Sequence, residues 1–270
     1  MTTAVESGYE DLIVERDEHV VTITLNRPES LNAISGPMLA GLSRALRAAD
    51  EDPDTRVVIL TGAGRGFCAG LDLKRQLARN DNVGSPERAS RLWDLRNAPP
   101  IVLHNIDKPV ICALNGAAAG YGMDLALGCD VRIASEQAKL AAVFTKRGVL
   151  PESGGTWLLP RLIGWARATE IAFRGLVLDA HTALAYGLVN IVVPHEQLME
   201  TARAWAREIA ANAPLAVQAT KRMMRLGLEE TFEANVDHVY LQLLPLFQSE
   251  DFQEGLRAFS ERREPVFRGR

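Results

Sequence analysis

A chain of 270 residues, 47% hydrophobic and 24% charged, has the makeup of an ordinary globular protein. That length suits one large domain, or one domain with an appendage. The formal net charge of −4 provides no basic face for nucleic acid.

Cys68, Cys112 and Cys129 lie in or beside apolar runs and lack C-x-x-C spacing, which fits buried free thiols in a reducing cytosol. The opening stretch, MTTAVESGYEDLIVERDEHV, has no charged segment followed by an apolar core, and it is too acidic for an Arg-rich transit peptide. A cytoplasmic location is the expectation.

Taken in order, Asp11–Arg16 and Val20–Leu25 predict two strands joined by a polar turn at Asp17-Glu18. Asn26-Arg27-Pro28 ends the second. Ser35 predicts a helix N-cap with Pro37 in the first turn. Met38, Leu39, Leu42, Leu46 and Ala49 then form an apolar stripe at helical spacing. Val57–Leu60 is a short buried strand.

A glycine-rich loop follows, from Thr61 to Lys74. A strand entering such a loop invites a dinucleotide reading, but the third glycine of G-x-G-x-x-G would fall on Phe67. What remains is a loop able to expose backbone N–H groups around Leu71, followed by the cation Lys74. Asn80–Gly84 is polar, and Ser85-Pro86-Glu87 starts a helix running to about Arg96.

The stretch Ala113–Asp130 follows an apolar run, Pro109–Cys112, that reads as a buried strand. Gly116, Gly120 and Gly122 then predict a tight turn into a helix beginning near Tyr121. The first N–H groups of a helix lack internal partners, and the dipole there favours negative charge. This stretch can therefore offer a backbone N–H, that of Tyr121, to a developing oxyanion. Asp124 sits one turn in, as a ligand-facing acid or simply as a partner of the helix dipole. Asn115, Asp124 and the glycines argue against a membrane span.

Val131–Ala134 and Lys139–Phe144 read as extended, and Gly148–Thr156 as a loop into a helix ending near Leu162. Short helices are predicted over Arg167–Gly175 and Ala180–Gly187, with a last strand at Val189–Val193. From His195 onward the pattern is entirely helical: Glu200–Ala210, Leu215–Leu226, Glu230–Phe247 and Asp251–Arg262. An α/β body over residues 1–194 followed by a helical region over 195–270 is the expected organisation, the helices serving oligomerisation. His19, His104, His181, His195 and His238 show no metal spacing and no nucleophile partner. Trp157 and Trp165 read as core residues. Lys221-Arg222 reads either as a solvated face or as a contact to phosphates.

The order of motifs resembles the enoyl-CoA hydratase/isomerase, or crotonase, family. The matching pieces are Ile23–Pro28 with Leu31-Asn32-Ala33, then Phe67–Lys74, Asn115–Gly122, Leu127–Asp130 and Pro151–Thr156. Ala185–Val189 and the terminal stretch from Asp251-Phe252 through Phe267 also fit. The resemblance implies a spiral of repeated β-β-α units with a C-terminal helical region that builds a homotrimer or a dimer of trimers. It implies an acyl-CoA thioester as ligand, with coenzyme A carried by the substrate and no separate cofactor or metal. It places the two enolate-stabilising N–H donors on Leu71 and Tyr121. Arg27, Ala69, Leu71, Asp72, Leu73 and Lys74 fall on the CoA side.

Departures from the family pattern shape the expected chemistry. Hydratases of the family hold a water between two glutamates, which correspond here to Asp124 and Phe144. Glu152 matches the position where some isomerases of the family carry a single base. Three readings follow: double-bond isomerisation with Glu152 as base, hydration by Asp124 and Glu152 together, or an acyl-CoA-binding protein that has lost catalysis.

Overall fold

The computed structural model describes residues 4–6, 8–72 and 98–270. The expected helix over Ser85–Arg96, and the residues Leu73 and Lys74, lie outside the described residues.

β1 (Ala4–Glu6), β2 (Leu12–Asp17) and β3 (Val20–Leu25) form an antiparallel meander. From β3 onward the large sheet is parallel, through β4 (Val57–Gly62), β6 (Val110–Leu114), β8 (Val131–Ser135) and β11 (Ile191–Val193). The strand order is β1-β2-β3-β4-β6-β8-β11. Every residue of β4 and β6 is buried, as expected of parallel strands covered on both faces.

A second sheet has the order β10-β9-β7-β5. It is built from β5 (Gly66–Cys68), β7 (Ala117–Ala119), β9 (Lys139–Ala141) and β10 (Val177–Asp179). The pairs β4/β5, β6/β7 and β8/β9 are thus each split between the two sheets. The glycine turn expected before Tyr121 is in fact strand β7. Gly116 permits it: a Cβ there would lie 2.1 Å from the Arg65 carbonyl oxygen. A run of three small residues carries no alternation from which to read a strand.

α1 (Gly36–Glu51) starts as expected, with Ser35 Oγ accepting from Met38 N at 3.0 Å. Its stripe of Met38, Leu42, Leu46 and Ala49 is buried, each leucine contributing about 2 kcal/mol on burial. α1 packs beside α2 (Pro99–Asn105), a short helix that opens on two prolines and that the apolar pattern does not announce. α3 (Tyr121–Leu127) is buried along its whole length. α4 (Gly155–Arg174) joins two expected helices, which meet at Gly164 where the helical φ/ψ is broken. α5 (Ala180–Tyr186) precedes β11.

The C-terminal region contains α6 (Leu198–Ala210), α7 (Pro214–Leu226), α8 (Phe232–Phe247) and α9 (Glu250–Glu261). α6 packs back on the large sheet: Leu198, Ala202, Ala206 and Ala210 meet Val57, Ile59, Ile111 and Ile133. α7 is tied to the body by Lys221 to Asp130 at 2.7 Å and by Arg222 to Asp107. Those two cations therefore serve as tethers to the body. Trp165 was expected in the core but is 75% exposed, at a break in α4 that turns it outward. No helix among the described residues is long and apolar enough to cross a membrane.

Candidate active site

The loop carrying the first expected donor, Leu71, is held by the Asn26–Ala33 motif. Asn32, buried and in the left-handed region, accepts from Arg27 N at 2.8 Å. Its amide donates to the carbonyls of Ala63 (2.9 Å) and Gly66 (2.8 Å). Asn115 holds the same loop from the other side, accepting from Gly62 N and donating to Gly64 O and Gly66 O. These two asparagines belong to the motifs that carry the family resemblance. Their task as buried staples follows from residues distant in the chain, which the motifs alone do not pair.

The chain then runs alongside residues 31–34. Ala69 N donates to Leu31 O, Ile34 N to Gly70 O at 2.8 Å, and Asp72 N to Ile34 O. Leu71 forms a parallel bridge with Ile34 through its neighbours, so its own N–H points to the opposite side. Gly70 has φ +93°, and a Cβ there would lie 2.7 Å from Ala119 O and 3.6 Å from Tyr121 N. The backbones carrying the two expected donors therefore approach each other closely, which only glycine allows at this point.

The second expected donor, Tyr121 N, stands at the start of α3. Gly120 N donates to Ala141 O, while Met123 N and Asp124 N donate to Gly120 O. Tyr121 N falls in the first turn, where helix N–H groups lack intrahelical partners. The Tyr121 side chain is buried in the core, its hydroxyl without a partner among the described residues, and burial pushes its phenol up.

A cavity of about 100 Å³ opens where these segments meet, lined by Gly70, Leu71, Gly120, Tyr121 and Glu152. Val143, Phe144 and Val149 form an apolar wall, with Arg147 beside it. Glu152 sits in the turn before α4; partial burial raises its pKa, which makes its carboxylate a stronger base than an open one. Phe144 is buried and carries no acid or base.

Asp124 is placed differently. It is 1% exposed and does not line the cavity. Its Oδ2 accepts from Ser153 Oγ at 2.7 Å and from Gly155 N at 3.1 Å. Burial pushes its pKa up to about 6, against the opposing effect of those hydrogen bonds.

Among the residues expected on the CoA side, Arg27 donates through Nη1 to Ala33 O (2.7 Å) and lies 3.1 Å from Asp72 Oδ2. It braces the donor loop. Ala69 is half-buried and hydrogen-bonded to Leu31. No group of His, Cys, Asp and Glu among the described residues is spaced to hold a metal.

Residues 15–270 match the model of the family described as enoyl-CoA hydratase/isomerase. The chain belongs to this family. A relative from Thauera aromatica, named (E)-benzylidenesuccinyl-CoA hydratase, is 40% identical over 95% of this chain and 98% of its own. The 1,2-epoxyphenylacetyl-CoA isomerase of Escherichia coli (strain K12) is also 40% identical, over 94% of this chain and 97% of its own. The solved enoyl-CoA hydratase from Bacillus anthracis superposes with a TM-score of 0.89 at 37% identity, covering 97% of this chain and 100% of that one. The alternating β-β-α layout is thus the crotonase fold, and the chain is an enzyme of the enoyl-CoA hydratase/isomerase family.

Proposed function

We propose that this family member moves the double bond of a 3-enoyl-CoA to the 2 position. Glu152 removes a proton from C2 and returns it at C4. The Leu71 and Tyr121 N–H groups donate to the thioester oxygen as it gains enolate charge; a donor of this kind is typically worth ~3 kcal/mol. The observation that carries the reading is the composition of the cavity wall. Glu152 lines it together with Leu71 and Tyr121, and Phe144 stands where the resemblance puts the second glutamate of a hydratase.

Isomerisation moves a proton and no net electrons, so it calls for nothing beyond the thioester itself. Arg27, Ala69, Leu71, Asp72, Leu73 and Lys74 are the proposed CoA-side residues. The relatives' names contain benzylidene and phenylacetyl groups, and the apolar wall of Val143, Phe144 and Val149 suits an aryl acyl group. We further propose a cytoplasmic enzyme that self-associates as a trimer or a pair of trimers through the region 195–270. Phe232, Tyr240, Leu241 and Phe259 are exposed there, and they support that reading.

Hydration is the second reading, favoured by the name of the Thauera relative. In it, Asp124 and Glu152 share a water that adds to a 2-enoyl-CoA. Ultraviolet absorbance of the conjugated thioester separates the two. Absorbance that rises with a 3-enoyl-CoA and stays flat with a 2-enoyl-CoA is the expected result. Absorbance that falls with the 2-enoyl-CoA would establish hydration instead, and no change with either would overturn both.

A further inference from the structure

We infer that Asp124 is a positioning residue: it fastens the turn that carries Glu152 to the helix that carries the Tyr121 donor. The inference rests on the reading of Glu152 as the base. α3 begins at Tyr121, and Asp124 stands three residues further along it. The Asp124 Oδ2 is held by two donors that flank Glu152 on its C-terminal side, the Ser153 hydroxyl and the Gly155 N–H. Ser153 is itself buried, and it spends its hydroxyl proton on this bond.

The helix that follows needs this contact. Gly154, at the N-cap of α4, has no side chain to satisfy the first N–H groups. Asp124 provides that acceptor from a different element, and its charge is well placed against the α4 dipole. The other oxygen, Oδ1, has no partner among the described residues and is pressed against Gly155. A Cβ at Gly155 would lie 2.3 Å from Oδ1 and 2.9 Å from the Asp124 Cγ. The carboxylate thus faces the turn from within the protein and does not line the cavity. One rigid helix consequently sets both ends of the reaction: Tyr121 N fixes the enolate oxygen, and Asp124 fixes the segment bearing the proton acceptor. Reactions of this kind are sensitive to shifts of about 1 Å between the reacting groups, which cost roughly 10²-fold.

The test compares Asp124→Asn, Asp124→Ala, Ser153→Ala and Glu152→Gln under steady-state turnover of a 3-enoyl-CoA. A positioning role needs an acceptor oxygen at Oδ2, which asparagine keeps, and no ionisable proton. Asp124→Asn is then expected to retain kcat within about threefold, while Asp124→Ala loses roughly 10²-fold in kcat with little change in KM. Ser153→Ala should lower kcat in the same sense by a smaller factor. The double variant Asp124→Ala with Ser153→Ala should fall no further than Asp124→Ala alone, because the two act through one contact. Ser153→Ala together with Asp124→Asn keeps the test available if Asp124→Ala does not fold. Equal loss in Asp124→Asn and Asp124→Ala would overturn the inference and assign Asp124 a proton of its own. Unchanged kcat in Ser153→Ala and Asp124→Ala would overturn it as well. Glu152→Gln isolates the underlying reading: full activity there would remove Glu152 as base, whatever the tether variants show.

Discussion

Around Leu71 the backbone is held from several sides by buried side chains, whereas α8 and α9 leave large apolar side chains on their outer faces. Asn32, Asn115 and Arg27 spend their polar groups on main-chain atoms of the donor loop. The terminal helices carry several peripheral ion pairs, such as Glu254 with Arg263 and Arg257, beside the buried Asp251, which accepts from Arg268 N and Gly269 N; α8 has no buried residue among those described. Exposed pairs of that kind contribute little to stability. The difference separates two tasks. On the proposed function the loop around Leu71 must be correct within one chain, because misplaced N–H groups stabilise nothing. The terminal helices present a surface that a single chain does not cover.

The sharpest way to break the ordered region is Gly70→Ala. It forces a side chain into φ +93°, 2.7 Å from Ala119 O, so both donor segments must separate. A loss of roughly 10²-fold or more in kcat is expected, read by the absorbance assay. Asn32→Ala removes three hydrogen bonds to backbone groups and should cost on the order of 3 kcal/mol, measured by urea unfolding.

The pH dependence comes next. The folded-state pKa of Asp124 is about 6, raised from 3.8, so between about pH 4 and 6 the folded chain holds a proton that the unfolded chain has released. Stability therefore rises as pH falls through that window, by no more than about 3 kcal/mol from this group. Glu152, also raised, contributes with the same sign. Asp52 acts oppositely: its pKa is lowered to about 2, so its contribution is present above 3.8 and is lost as pH falls through 2. Urea midpoints should peak near pH 4 to 5, and Asp124→Asn should flatten the acidic rise.

The smallest effect on the isolated fold is expected in the terminal helices. Phe259, 86% exposed, and Tyr240 can both be changed to Gln with a stability change within about 0.5 kcal/mol in the dissociated chain. Light scattering should nevertheless show a lower mass than for the parent chain. An unchanged mass would remove these side chains from the contact between copies.

Much of this was legible in the chain itself. Strands β3, β4 and β6 are apolar runs, and the α1 stripe repeats at helical spacing, because burial imposes its period on the residues. The glycines before Leu71 and Tyr121 marked the two loops whose backbones approach closely, since such an approach excludes side chains. Less legible were β7 and β10, three residues each, too short to show a period. The outward turn of Trp165 was not legible either, because it depends on the break at Gly164.

Local sequence alone determined the mix of strands and helices and the two glycine loops around Leu71 and Tyr121, which rest on periodicity, glycine placement and helix ends acting over a few residues. The spiral architecture and Glu152 as the expected base came from the resemblance of the ordered motifs to the crotonase family. Tertiary structure alone decided that Asn32 and Asn115 grip one loop and that α6 covers the sheet. It alone turned Asp124 toward Ser153 and Gly155, 29 and 31 residues away. Contacts between distant residues follow from how the layers pack, and no local pattern encodes that packing.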